Sequence, residues 1–191
     1  MRFEKGHKAA TRQRIVETAA ARFRRDGIAA VGIAGLMADA GLTHGGFYAH
    51  FGSKEELVRE AMAAAATGSR ARLANAAGGG KPDLETYIRG YLRPSHRDAP
   101  ERGCIIAALG PELARHEPET RAAFSGQIET LLSRIADMLP PQRSADSRKA
   151  AAIGIFGVMS GTLQLARGVV DRTESDLILE SGIAAALRLA R

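Results

Sequence analysis

Between Gly41 and Leu57 the chain reads Gly-Leu-Thr-His-Gly-Gly-Phe-Tyr-Ala-His-Phe-Gly-Ser-Lys-Glu-Glu-Leu. Phe47 and Phe51 lie four residues apart, so one face of a short helix here is anchored in a core. Thr43, His44, Gly45, Gly46, Tyr48 and His50 are left for the other faces, and all are small, hydrogen-bonding or cationisable. A short helix pinned by aromatics, presenting polar groups and bare backbone, is what insertion into a DNA groove requires. Cys104 is a second candidate for chemistry. Arg102-Gly103-Cys104 is expected at a helix N-terminus, where the helix dipole and Arg102 would both stabilise a thiolate. The competing reading of Cys104, set among small and aliphatic residues, is inert packing.

The elements that must hold these groups follow from spacing. Gly41 supplies the backbone freedom needed at a helix C-terminus, and Thr43 can cap the short helix that follows. Ser53-Lys54-Glu55-Glu56 forms a capping box that restarts a helix and holds Lys54 in its first turn. Upstream, Ile15, Val16, Ala19, Ala20 and Phe23 make the apolar stripe of a helix over about 8–26, ended by Gly27. Ile33, Leu36, Met37 and Ala40 give the inner face of a second helix over about 33–40. Downstream, the spacing predicts helices near 54–77, 83–93, 104–116, 118–139, 146–170 and 175–189. They are separated by a 76–82 Gly-rich linker, a Pro94/Pro100 loop and the Pro140-Pro141 stop. Ala, Leu, Arg and Glu dominate the composition, which favours an all-α fold of about nine helices.

The 191 residues are 45% hydrophobic and carry a formal net charge of +6. Residues 1–26 hold eight basic side chains against three acidic ones, so +5 of that excess lies beside the proposed groove reader. This is the electrostatic footprint of phosphate binding, or else a solvated basic helix face. The N-terminus is charged and lacks an apolar h-region, and no segment offers 18 uninterrupted apolar residues. Neither a signal peptide nor a membrane span is expected. The one cysteine excludes an intrachain disulfide, and the expected location is a reducing cytoplasm.

The 41–57 stretch resembles the recognition helix of the TetR family of transcriptional repressors (TetR/AcrR-type helix-turn-helix). Their pattern runs Gly-Val-Ser/Thr-x-Gly-x-Leu/Phe-Tyr-x-His-Phe-x-x-Lys-x-x-Leu, and every fixed position is met or conservatively replaced here. The resemblance implies an N-terminal three-helix DNA-binding domain over about 8–68, with the helix-turn-helix at about 32–51. A helical effector-binding and dimerisation domain over about 69–191 would follow. It also implies that Thr43, Tyr48, His50 and Lys54 bond phosphates, while His44, Gly45 and Gly46 approach base edges. His50 has the alternative of packing, and Lys54 that of serving its own helix. The chain departs from the family where Gly32 replaces a capping Ser or Thr, and where Ala34-Gly35 replace an acidic pair. His44 and Gly46 likewise replace a basic residue and a Thr or Ala.

The helix over about 146–170 is apolar nearly all round, so it is expected to be buried on more than one side. Burial within the protomer and burial at an interface both fit. The resemblance implies the second, a homodimer joined through Gly154, Gly157, Gly161, Ile178, Ile183 and Leu187, reading a palindromic double-stranded operator. A small-molecule effector would enter a pocket drawn from Tyr87, Tyr91, Cys104, Ile105, Leu109, Phe124, Ile128 and Phe156, or these residues are ordinary core. An apolar lining points to a hydrophobic effector that shifts the dimer towards a state misfitted to DNA. The Gly-Cys-Ile-Ile-Ala-Ala-Leu-Gly run is also similar to family members that sense oxidants or electrophiles through a cysteine there.

No enzyme is expected. Gly78-Gly79-Gly80-Lys81-Pro82 lacks the spacing and hydroxyl of a phosphate loop, and the serine in Gly157-Val158-Met159-Ser160-Gly161 is one place late for a nucleophile elbow. The five histidines are scattered without metal-ligand pairing, so catalytic residues, metals and cofactors are expected to be absent. A helical adaptor without DNA binding is the remaining alternative, and it would be indifferent to salt and to Tyr48 or Lys54 substitution.

Overall fold

The computed structural model describes residues 2–76 and 82–191, and all regular structure among them is helical. α1 (Arg2–Asp26), α2 (Ile33–Asp39), a 3-10 segment (His44–Ala49) and α3 (Lys54–Ala76) come first. α4 (Leu84–Tyr91), α5 (Pro94–Asp98), α6 (Ile105–Leu113) and α7 (Pro118–Asp137) form the middle, and α8 (Ala145–Gly168) and α9 (Arg172–Ala190) complete the chain. Three expectations are corrected. α1 begins at Arg2 rather than near residue 8, because nothing upstream of it breaks a helix except the single Gly6. The proposed reader is a 3-10 turn rather than an α-helix. The Pro94/Pro100 loop contains α5 and a 3-10 turn, Pro100–Arg102, each opened by its proline at the first helical position. The Gly-rich linker at 77–81 lies outside the described residues.

Helix ends follow local chemistry. α2 stops in a Schellman motif: Gly41 N–H bonds the Ala38 carbonyl at 2.9 Å and Leu42 N–H the Met37 carbonyl at 2.8 Å. That geometry needs the left-handed backbone that Gly41 adopts at φ +70°. Asp83, Ser144 and Asp171 cap α4, α8 and α9 with side-chain oxygens that accept from Thr86, Ser147 and Glu174 N–H.

The core has two parts. In the first, Ile15, Phe23, Leu36, Met37, Phe47, Phe51 and Leu57 meet beneath the 3-10 segment. Ile105, Leu109 and Leu113 of α6 and Phe124 of α7 belong to this same cluster. The N-terminal helices are therefore packed continuously onto the rest, and residue 68 falls inside an unbroken α3. The second part joins Ile88, Tyr91, Ile135, Ile155, Met159, Leu163 and Leu179 from α4, α7, α8 and α9.

α8 and α9 run antiparallel, as Gly154 near Leu189, Thr162 near Gly182 and Ser175 bonding the Ala166 carbonyl require. α8 is long and apolar enough, at a mean hydropathy of 1.3, to cross a membrane by length and composition alone. One side of it is covered by α9 and α7 instead. At Gly182 a Cβ would lie 2.3 Å from the Thr162 side chain, so α9 approaches α8 this closely only because no side chain intervenes. Gly182→Val should push the two helices apart and cost about 1–3 kcal/mol of stability, read as a lowered Tm by circular dichroism; an unchanged Tm would contradict this packing.

Candidate nucleic-acid interface and the adjoining cavity

Six residues of 3-10 helix cannot stand alone, so the position of the reading segment is set by what it rests on. Phe47 and Phe51 are fully buried and stack with centroids 5.5 Å apart. The Arg12 guanidinium of α1 lies 4.1 Å from the Phe51 ring centroid and also donates to Glu56 at 2.8 Å and to Glu60 of α3. One side chain thus ties α1, the reading segment and α3 together. Ser53 accepts from Glu56 N–H at 3.1 Å, while the Glu56 carboxylate reaches past Ser53 to Gly52 N–H at 2.7 Å. The capping box is present, displaced by one residue on its return bond.

The candidate DNA-contacting residues divide by exposure. Tyr48 is 64% exposed and is held edge-on by Phe47 and His44, with centroids 5.2 and 6.5 Å away. Thr43, His44 and Gly45 are also exposed, and a Cβ on Gly45 would meet nothing within 4 Å. Gly46 differs: it is half-buried, and a Cβ there would make ordinary contact with Met37 and Thr43 at 3.7 and 3.8 Å, so it faces α2 and its neighbouring turn rather than open space. Thr43 holds the N-cap position with extended backbone, but its hydroxyl makes no capping bond and remains available. Gly32 caps α2 in the same extended geometry, also without a side-chain bond.

His50 and Lys54 are committed inward. His50 is half-buried and its Nδ1 is buried without a hydrogen-bond partner. Burial lowers its pKa, and Lys8 and Arg12 lower it further, which favours the neutral ring. The Lys54 ammonium donates to the Ile28 carbonyl at 2.6 Å, fastening the start of α3 to the α1–α2 loop.

Much of the basic charge in α1 is also spent internally. Arg22 binds Asp26 at 2.7 Å and Asp39, and Arg25 binds Asp26 at 2.8 Å. Bonds from Arg25 and Arg22 hold the Asp26 carboxyl down to about 2. Arg24 is buried and donates to the Glu101 carbonyl at 2.8 Å. Among the described side chains of α1, Lys8 and Arg14 are exposed cations outside these pairs, while Arg25 is exposed but paired with Asp26. Sequence counting missed this division, because which cations are paired depends on carboxylates from α2 and α3.

Further polar ties join this unit to the middle helices. The Glu112 carboxylate of α6 accepts from Ile28 and Ala29 N–H at 3.0 and 2.5 Å. Glu55 of α3 accepts from Thr120 at 2.6 Å and faces His116 Nδ1 at 2.8 Å. Burial alone would raise the Glu55 carboxyl, but these two bonds outweigh it and hold it below its usual value.

Behind the Pro100–Arg102 turn lies a cavity of about 110 Å³. Four of the expected residues line it: Tyr87, Tyr91, Cys104 and Ile105. The other four do not. Leu109 and Phe124 belong to the first core cluster with Ile128 packed against it, and Phe156 belongs to the second, 6.1 Å edge-on from Tyr91. The lining adds groups that the sequence did not single out, notably Arg93, His96, Arg102, Gln127 and Arg134. His96 Nδ1 faces the Tyr91 carbonyl at 2.6 Å and so carries the proton, leaving Nε2 to accept from Cys104 N–H at 3.0 Å. Burial pushes the Tyr91 and Tyr87 hydroxyls well above the usual phenol range. The Tyr91 hydroxyl is buried without a partner, with the Cys104 thiol beside it but out of hydrogen-bond geometry.

The candidate dimer residues also separate. Ile153, Gly157, Gly161 and Leu165 recur every four residues and are all exposed, a stripe along the free side of α8. Leu177 and Leu189 of α9 are exposed as well. Gly154, Ile178 and Leu187 are half-buried, and Ile183 is buried in the protomer's own core.

Tyr48→Phe should weaken DNA binding by about ten-fold while leaving Tm unchanged, since one exposed hydroxyl bonding a charged phosphate is lost. Lys54→Met should lower both, because the Ile28 anchor goes with it. Anisotropy and thermal melts on both variants check this; a Tm loss in Tyr48→Phe, or none in Lys54→Met, would contradict the assignment.

Residues 15–61 match the family model described as bacterial regulatory proteins, tetR family. The chain is 29% identical over 178 residues to an uncharacterised HTH-type transcriptional regulator of Mycobacterium tuberculosis, covering 87% of this chain and 89% of that one. A TetR transcriptional regulator from Chloroflexus aurantiacus superposes with a TM-score of 0.76 at 28% identity, covering 100% of this chain and 95% of that one. A TetR-family regulator from Cytophaga hutchinsonii does so with a TM-score of 0.77 at 18% identity, covering 95% and 96%. With a helix-turn-helix held by Gly41, Phe47 and Phe51 at its head and an all-helical body behind it, the chain carries the region described by the TetR-family model over residues 15–61 and resembles TetR-family transcriptional regulators in fold along its length.

Proposed function

We propose that the protein is a homodimeric, cytoplasmic transcriptional repressor that leaves a palindromic operator when a small apolar effector fills the cavity beside Tyr87, Tyr91 and Ile105. The observation that carries this reading is the Pro100–Cys104 segment. Its start accepts the Arg24 guanidinium of α1 at the Glu101 carbonyl, while Arg102, Gly103 and Cys104 form cavity wall. Any ligand that displaces this wall also moves the acceptor on which α1 rests. Ala66 and Ser69 of α3 line the same cavity, and α3 begins at the Lys54 anchor, so a second rigid element connects the two places. At about 110 Å³ the resting cavity is smaller than the ~300–1,000 Å³ of drug-sized ligand sites, so filling it requires such a displacement.

The exposed stripe on α8 supports the dimer: its two glycines admit a helix closely, and its flanking Ile153 and Leu165 give that helix something apolar to cover. Two reading segments on a two-fold axis then meet successive major grooves.

A second reading shares the cavity: oxidation or alkylation of Cys104, half-buried in its wall, would do what a ligand does. Alkylation that abolishes DNA binding in the native chain but not in Cys104→Ser would establish it, and unchanged binding after modification would exclude it.

Leu165→Arg is the test of the main reading, because residue 165 is 65% exposed in the protomer and its change leaves the fold intact. Sedimentation should show a monomer, and anisotropy a loss of operator affinity of at least a hundred-fold. A dimeric variant with full affinity would overturn the proposed interface.

A further inference from the structure

The cavity's polar lining is rich in donors and cations. Arg93, Arg102 and Arg134 contribute to it, and no Asp or Glu is among the described residues that line it. Behind Gly103, the half-buried Arg167 directs its donors to the His96 and Arg97 carbonyls at 2.8 and 3.1 Å, which orient its charge without neutralising it. Burial lowers the Arg167 pKa, with Tyr91, Cys104 and Glu101 opposing that. Among the described residues, the Glu101 carboxylate lies 3.9 Å from Arg102 and faces Arg167 as well. His96 adds no charge, since one ring nitrogen faces a carbonyl and the other accepts an N–H. The Tyr91 hydroxyl, 4% exposed as a residue and without a bonded partner, is one more donor inside. A site lined by three guanidinium groups and no described carboxylate, with hydroxyls and an amide that can donate as well as accept, is complementary to a negative group that accepts.

We propose that this cavity selects a small organic anion, with a single-ring or similarly compact apolar body against Tyr87, Tyr91, Ile105 and Leu131 and a carboxylate held by Arg93 and Arg134. This rests on the reading of the cavity as the effector site and gives that effector its chemical class. At about 110 Å³ the resting cavity falls short of the ~150 Å³ that accommodates benzene, so a single ring is the largest body it can take, and only with the wall displacement described above. Arg93 and Arg134 are exposed, so the carboxylate stays at the solvent edge, where pairing with guanidinium does not require desolvating a charge completely.

Benzoate, benzamide and benzamidine share one shape and differ in charge, so titrating the full-length protein with each by calorimetry isolates the head group. Benzoate should bind at least ten-fold more tightly than benzamide, and benzamidine should not bind. In Arg93→Gln/Arg134→Gln, with Tm recorded alongside to verify the fold, benzoate should fall to the level of benzamide. Equal binding of acid and amide, preference for the amidine, or no binding by any of the three would overturn anion selection. Operator release is read separately by anisotropy. Benzoate that binds as expected but leaves the DNA complex intact would overturn the effector reading and leave the anion site standing. Equal release by benzamide and benzoate would do the reverse.

Discussion

Everything in this protein depends on holding still a six-residue 3-10 turn that has no stability of its own. Such a turn makes too few internal hydrogen bonds to offset the entropy of ordering it. Its shape is borrowed from below, through the stacked Phe47 and Phe51 on the first core cluster, and from the side, through Arg12 over Phe51. The same dependence makes the reader responsive. A rigid, self-sufficient helix would ignore small shifts in its supports, whereas this one must follow α1 and α3.

α1 and α3 are themselves held at both ends. Near the DNA-facing end lie Arg12 with Glu56 and Glu60, and Lys54 with the Ile28 carbonyl. At the other end lie Arg24 on Glu101, and Ala66 and Ser69 in the cavity wall. From Lys54 to Ser69 an α-helix rises about 22 Å, so a tilt of about 5° at the cavity displaces the head end by about 2 Å. Glu112 on the Ile28 and Ala29 amides and Glu55 on Thr120 and His116 tie the two halves together between those ends.

Legibility in the sequence tracked the range of the interaction. Local rules found Gly41, the Ser53 cap, the apolar stripe of α1 and the aromatic pair, since each is written within a few adjacent positions. They placed the helices of the body to within a few residues for the same reason. Periodicity failed where there is none: the irregular run from Leu92 to Cys104 supplies Arg93, His96 and Arg102 to the cavity, and nothing in its spacing brings them together. The inward commitments of Lys54, Arg24 and Arg22 were hidden for another reason, since their acceptors lie 26, 77 and 17 residues away in the chain. Tyr87, Tyr91 and Ile105 were found as lining because they flank that run on regular helices, and Cys104 because it is the cap of the second. Leu109 and Phe124 point to the other core, a distinction that one helical face cannot make by pattern alone.

Several of these joints share an acceptor type: Arg24 on the Glu101 carbonyl, Lys54 on Ile28, His96 on Tyr91, and Arg167 on His96 and Arg97. In each the cationic or ring partner is specified by its side chain, while the other partner is specified only by the path of the main chain. Residue 101 can therefore drift through many amino acids without loosening its hold on α1, provided the turn keeps its shape. Across relatives, such joints would leave one constrained column with no covarying mate, so methods that seek paired changes would pass over the very links that connect cavity to DNA.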